Sequence, residues 1–130
     1  SEHFPRVAKP ELRATGVKRG FISRITSLEN KINNLNKHRN DVSNLESMYN
    51  ESVKTEKALN SLLPMLRDRS LSKDDRGKLK LMQKDLLVDY IHPSYISSEI
   101  KKLKKKEDKI LNSVDISKSS IERALKQYNL

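Results

Sequence analysis

Apolar residues recur along this chain at helical spacing, and no stretch reads as a strand. The densest pattern lies in residues 79–106, LKLMQKDLLVDYIHPSYISSEIKKLKKK. Leu79, Met82, Leu86 and Tyr90 follow steps of three and four there, and Leu87 and Ile91 widen the stripe to the face expected of a bundle helix. Pro93 lacks the amide a helix interior needs and pushes His92 out of the α region, but it suits the first turn of a new helix. The chain is therefore predicted to turn at His92-Pro93-Ser94. The helix that follows should bury Ile96, Ile100 and Leu103 on one side, with Lys101, Lys102, Lys104, Lys105 and Lys106 over the rest.

From Phe21 to Leu63 there is neither proline nor glycine, which permits a continuous helix of roughly 60 Å at 1.5 Å per residue. Ile25, Leu28, Ile32 and Leu35 form a short coiled-coil-like seam, interrupted at His38 and Arg39. It resumes at Val42 and Leu45 and fades through Asn50, Glu51 and Ser52, where a break is expected before a second helix from Val53. The many asparagines make this helix marginal alone. Packing within the chain is expected ahead of homodimerisation, so a monomer is expected ahead of a homodimer. Pro64, inside the cluster Leu62, Leu63 and Leu66, should restart or kink a helix.

Ser72 and Asp75 form a capping pair that starts the next helix near Lys73. Gly77 in its first turns would suit a close helix contact. A last helix is expected after Asp115 or Ser117, burying Ile121, Leu125 and Tyr128. Residues 1–20, with Pro5, Pro10, Gly16 and Gly20, read as a basic arm or linker. The sequence thus predicts an all-α fold: an arm over 1–20, a long helix over 21–52, and a compact bundle of four or five helices over 53–130. The absence of an initiator methionine points to a domain within a longer protein.

Charge sharpens this picture. Lys and Arg number 27 against 17 Asp and Glu, a net charge of +10, which favours an acidic partner. Residues 101–130 hold nine basic and four acidic side chains, residues 1–20 five and two, and the middle is nearly balanced. Hydrophobic content of 35% and charged content of 34% suggest a modest core with long solvated faces. With no cysteine there is neither a disulfide framework nor a thiolate metal site, and a reducing compartment is expected. No apolar run approaches the roughly 20 residues that cross a bilayer, so a soluble chain without membrane attachment is expected.

Catalysis finds little support. His3, His38 and His92 lie far apart and outside metal-ligand spacings, so no metal or cofactor is expected, and His92 reads as a turn residue. Asp85 and Asp89 stand one turn apart on a lysine-rich helix, where salt bridging to the surface is the usual role. The three glycines stand alone and form no phosphate loop. The lysine run, extended by Lys109, is the strongest binding candidate; the alternative is a plain solvated helix face. Lysine acts as a point charge, so nucleic acid would be held nonspecifically through its phosphates. Tyr90 and Tyr95 flank the turn beneath the run and could either stack on bases or pack.

From Leu59 to Tyr128 the pattern resembles the family of small helical bundles that includes the TFIIS N-terminal domain and the integrase-binding domain. The resemblance is carried by Leu81-Met82-Gln83-Lys84-Asp85-Leu86-Leu87, the turn over Ile91–Ile96, Glu99-Ile100-Lys101-Lys102-Leu103-Lys104-Lys105, and the closing Ile121, Leu125 and Tyr128. The tryptophan that often closes the TFIIS type is absent, and Tyr128 would take its place. The resemblance implies a noncatalytic, nuclear, chromatin- or transcription-associated module that grips linear motifs combining acidic residues with an apolar anchor. The matching loops are near Arg69–Ser72 and Val114–Ser117. Arg67, Arg69 and Lys118 would there meet carboxylates, and Leu71 and Ile116 the anchor. The rival class is a coiled-coil structural or assembly subunit of an RNA or trafficking complex.

Overall fold

A computed structural model describes the backbone of residues 10–128, and side chains from Gly16 onward except Val17. The described residues form three helices and no strand: α1 (Pro10–Arg67), α2 (Lys73–Leu87) and α3 (Pro93–Tyr128). The all-α reading holds. The long helix and the four or five bundle helices expected after it become three helices in all among the described residues, because breaks expected at Asn50, Pro64 and Val114–Ser117 are not made. Asn50 is passed because Ser52, two residues on, is buried in the packing, and tertiary contact overrides weak propensity. Pro64 falls in the last turn of α1, so the amide it lacks leaves the Asn60 carbonyl without its helical donor only three residues before the helix ends. Val114 is the most buried side chain described, at 2% exposure, and holds α3 helical where a loop was expected.

Residues 1–9 of the expected arm lie outside the described residues, whereas 10–20 open α1. Pro10 is the first helical residue, the position at which proline costs no bond, and Gly16 and Gly20 are carried within the helix. The chain divides into two compact units, one made of α1 up to Arg39 with α3 from Lys105, the other of Asn40–Lys104.

In the first unit α1 and α3 pack antiparallel, as their cross-links show. Lys31 Nζ donates to Ser117 Oγ at 2.6 Å, and Arg39 Nε lies 3.5 Å from Glu107 Oε1, so partners descend along α3 as numbers rise along α1. Of the sequence seam, Leu35 is buried, Leu28 and Ile32 are half-buried, and Ile25 is exposed. Phe21, Val114 and Ala124 complete the buried set of this unit.

In the second unit the later part of α1 is accompanied first by α2 and then by the opening turns of α3. Lys104 Nζ faces Glu46 at 3.9 Å, and Ser52 Oγ donates to the Ile91 carbonyl at 2.8 Å. Val42, Leu62, Pro93 and Ile96 are its buried apolar residues, and none of α2 is buried. The Ser72 cap forms as expected: its hydroxyl accepts the Asp75 amide at 3.1 Å and α2 starts at Lys73. Gly77 makes no close helix contact, since a Cβ there would meet open space.

On α3, positions withdrawn from solvent include Pro93, Ile96, Ile100, Leu103, Glu107, Ile110, Val114, Ser117, Ile121 and Ala124. Their steps alternate between three and four throughout, the spacing of a coiled-coil seam. Glu107 and Ser117 are polar members of that series, and each is matched by a cation from α1.

Candidate interaction surfaces

The connection between α1 and α2 is held by polar contacts rather than burial. Asp68 Oδ1 accepts the Ser70 amide at 2.9 Å and the Ser70 hydroxyl at 2.7 Å, a side-chain-closed turn. Those two hydrogen bonds, helped by the Arg76 charge, hold the Asp68 carboxyl below its ordinary range. Arg76, from α2, reaches back so that its guanidinium donates to the Leu66 carbonyl and, at 2.7 Å, to that of Asp68. Carbonyls at the α1 C-terminus that lack helical partners are thereby satisfied. Arg67 and Arg69 are exposed around this connection and Leu71 is half-buried.

The other half of the motif site expected from the resemblance is arranged differently. Ile116 and Lys118 are exposed on α3 in unbroken helix of the first unit, whereas Arg67, Arg69 and Leu71 belong to the second. The two stretches are therefore not a pair of loops. The physical reason is Val114, whose burial continues the helix where Asp115 and Ser117 suggested a stop.

The joint between α2 and α3 is the most elaborated part of the second unit. Val88 is extended (φ −64°, ψ 126°), Asp89 follows at φ 57°, and the Tyr90 amide donates to the Leu87 carbonyl at 3.2 Å. This is the backbone of a type II turn, with aspartate where glycine is favoured. His92 then caps α3: its Nδ1 accepts the Ser94 amide at 3.1 Å and lies 2.8 Å from Ser94 Oγ. A neutral ring accepting at Nδ1 carries its proton on Nε2, which faces Glu56 Oε2 at 3.7 Å. Glu56 also hydrogen-bonds the Tyr90 phenol, whose pKa is raised by desolvation and then by this carboxylate.

Beside the joint lies a cleft of about 310 Å³ lined by residues that include Met48, Ser52, Thr55, Leu86, Val88, Tyr90, Ile91 and Ile96. Two acidic residues, Glu51 and Asp89, also line it, and α2 and the joint leave Leu81, Met82, Leu87, Val88 and Ile91 exposed. Tyr95 is 74% exposed and Tyr90 half-buried, so the two tyrosines separate into a surface and a packing role. Ser52 is buried where the sequence predicts a fading helix, and its one signal there is a register shared with Leu45 and Leu59 at steps of seven.

The lysines of the run are all exposed on α3. Lys101, Lys102 and Lys104 fall in the second unit and Lys105, Lys106 and Lys109 in the first. Lys104 is the member of the set with an ion-pair partner among the described residues, Glu46. The other five fall within an arc of about 140° at 100° per residue, on the side of α3 away from the one that packs.

The first unit carries a smaller cleft of about 220 Å³, lined by Arg24, Ser27, Ile116, Ser117, Ser120 and Ile121. Among the described residues no group of three or more metal-capable side chains gathers, and no helix is long and apolar enough to cross a membrane. No protein-family model, curated protein or solved structure matches the chain.

Proposed function

We propose that this chain is a noncatalytic helical interaction module that engages an acidic partner through the lysines of α3. The observation that supports it most is the group Lys101, Lys102, Lys105, Lys106 and Lys109, exposed and without a carboxylate partner among the described residues. Ammonium groups left unpaired on a helix draw a polyanion by long-range attraction and gain from the counterions it releases. The partner is an acidic, apolar-anchored protein segment, with nucleic acid bound nonspecifically by the same charges. A nuclear, chromatin- or transcription-associated setting is supported by the family resemblance alone.

The test replaces these five lysines with glutamine and measures binding to an acidic peptide and to a single-stranded oligonucleotide across a salt series. Wild type should lose affinity steeply with salt and the substituted chain should show a shallower slope, with unchanged helical circular dichroism. Equal binding and equal slopes would sink the reading. A second reading, an assembly subunit built on helix pairing, is favoured by one observation: the unbroken three-four series along α3.

A further inference from the structure

We propose that the small cleft of the first unit is a binding site for a phosphate monoester, held by Arg24 and by the hydroxyls of Ser27, Ser117 and Ser120, with Lys31 outside the lining and acting through its bond to Ser117. This site is independent of the lysine run.

Chemistry, charge and size converge on this ligand. The residues that line the cleft are one arginine, three serines and two isoleucines, with no aspartate or glutamate among them. Asp115 and Glu122, the nearest acidic residues along α3, are exposed and outside the lining. Lys31, although a lysine, is half-buried at a packing position of α1, and its ammonium is held by a hydroxyl, Ser117 Oγ, at 2.6 Å. No carboxylate among the described residues comes within ion-pair distance of either Lys31 or Arg24. Withdrawing a cation from water without a counter-charge is unfavourable, so the position gains most from an anion beside it.

The Lys31 bond also orients the site. Ser117 Oγ accepts from the ammonium, which leaves its own proton free to donate to a bound oxygen. Ser27 and Ser120 add two more donors, and Arg24 offers the planar fork that matches two oxygens of one phosphate. A tetrahedral dianion uses such a set fully, with several acceptor oxygens on one centre; a carboxylate has only two. At about 220 Å³ the cleft is smaller than the roughly 300 Å³ at which drug-sized sites begin, so it suits one small group. Ile116 and Ile121 supply an apolar wall against which the carbon side of an ester can rest.

The experiment is an amide-resolved NMR titration of the whole chain with inorganic phosphate, against chloride at matched ionic strength. Saturable shifts should centre on Arg24, Ser27, Ser117 and Ser120. Arg24→Gln, a change at an exposed residue, should weaken binding by at least about tenfold, the loss of one charge-assisted hydrogen-bond pair. Lys31→Met, which keeps the length of the side chain, should do the same, and its melting curve reports whether packing survived. Parallel titrations with N-acetyl-phosphoserine methylamide and with glycerol phosphate identify the source of the ester, since tighter binding of either than of inorganic phosphate supports the site and names its carrier. Shifts that rise without saturation, that spread equally over Lys101–Lys109, or that survive Arg24→Gln unchanged would overturn the proposal.

Discussion

Asp89 shows how one residue can carry a conformational cost that its neighbours impose. Its φ of 57° lies in the left-handed region, where an L side chain is disfavoured by about 1–2 kcal/mol and glycine is not. Asp89→Gly should therefore raise stability by up to about 1 kcal/mol, after the extra entropy of the unfolded glycine is subtracted. A lower urea midpoint for the variant would mean the carboxylate is doing something the backbone does not reveal. Gly77 is the converse case, a glycine in ordinary helix with open space where a Cβ would stand. Gly77→Ala should stabilise by up to about 1 kcal/mol, again read from the urea midpoint.

Asp68 sets a pH dependence whose sign follows from its hydrogen bonds. Ser70 donates twice to the ionised carboxylate, so the folded pKa is lowered below that of the unfolded chain. A group of this kind contributes stability above its unfolded pKa and loses it as pH falls through the folded one. The stability difference between wild type and Asp68→Asn should thus be present at neutral pH and vanish in acid. A difference that stays constant into acid would show that the charge plays no part.

Between elements, polar side chains do work that apolar burial usually does. None of α2 is buried, yet it is fastened at both ends: Arg76 holds the α1 carbonyls at its start, and Ser52 holds the Ile91 carbonyl just past its end. Arg76→Met keeps the stem and removes the donors, and Ser52→Ala removes a buried hydroxyl. Each should cost about 1–2 kcal/mol, somewhat more for Arg76, whose bonds are charge-assisted. Amide hydrogen exchange over 73–87 should quicken in both variants. Protection unchanged in both would mean that the half-buried face of Leu79, Gln83 and Leu86 suffices to hold the helix.

For the molecule as a whole, the question is whether the seam of α1 is satisfied within one chain. Leu35, 5% exposed, is already covered, and its unit supplies the cover from α3. Ile25, at 43%, is not. Leu35→Asp should therefore destabilise by several kcal/mol, because it buries an unpaired charge, while Ile25→Asp should stay within about 0.5 kcal/mol. Sedimentation should give the mass of a monomer for wild type and for Ile25→Asp. A dimer that Ile25→Asp dissociates would instead place Ile25 in a contact between chains.

What the sequence determined by itself is the set of features whose causes are local. Helical spacing of apolar residues sufficed for the all-α class, Ser72 with Asp75 marked the start of α2, and Pro93 marked the start of α3. Each depends on dihedral preference or on hydrogen bonds within a turn or two. The tertiary structure decided where helices do not end. Asn50 and the Val114–Ser117 stretch carry local stop signals, and a packed partner outweighs them because Ser52 and Val114 stay buried only if the helix continues. It also decided which polar residues belong to the packing. Lys31, Glu107 and Ser117 look like surface in the sequence, since neither charge nor hydroxyl marks a seam position. They are withdrawn from solvent because each finds its complement on the opposing helix, and that pairing is set by a register between α1 and α3 that no single segment contains.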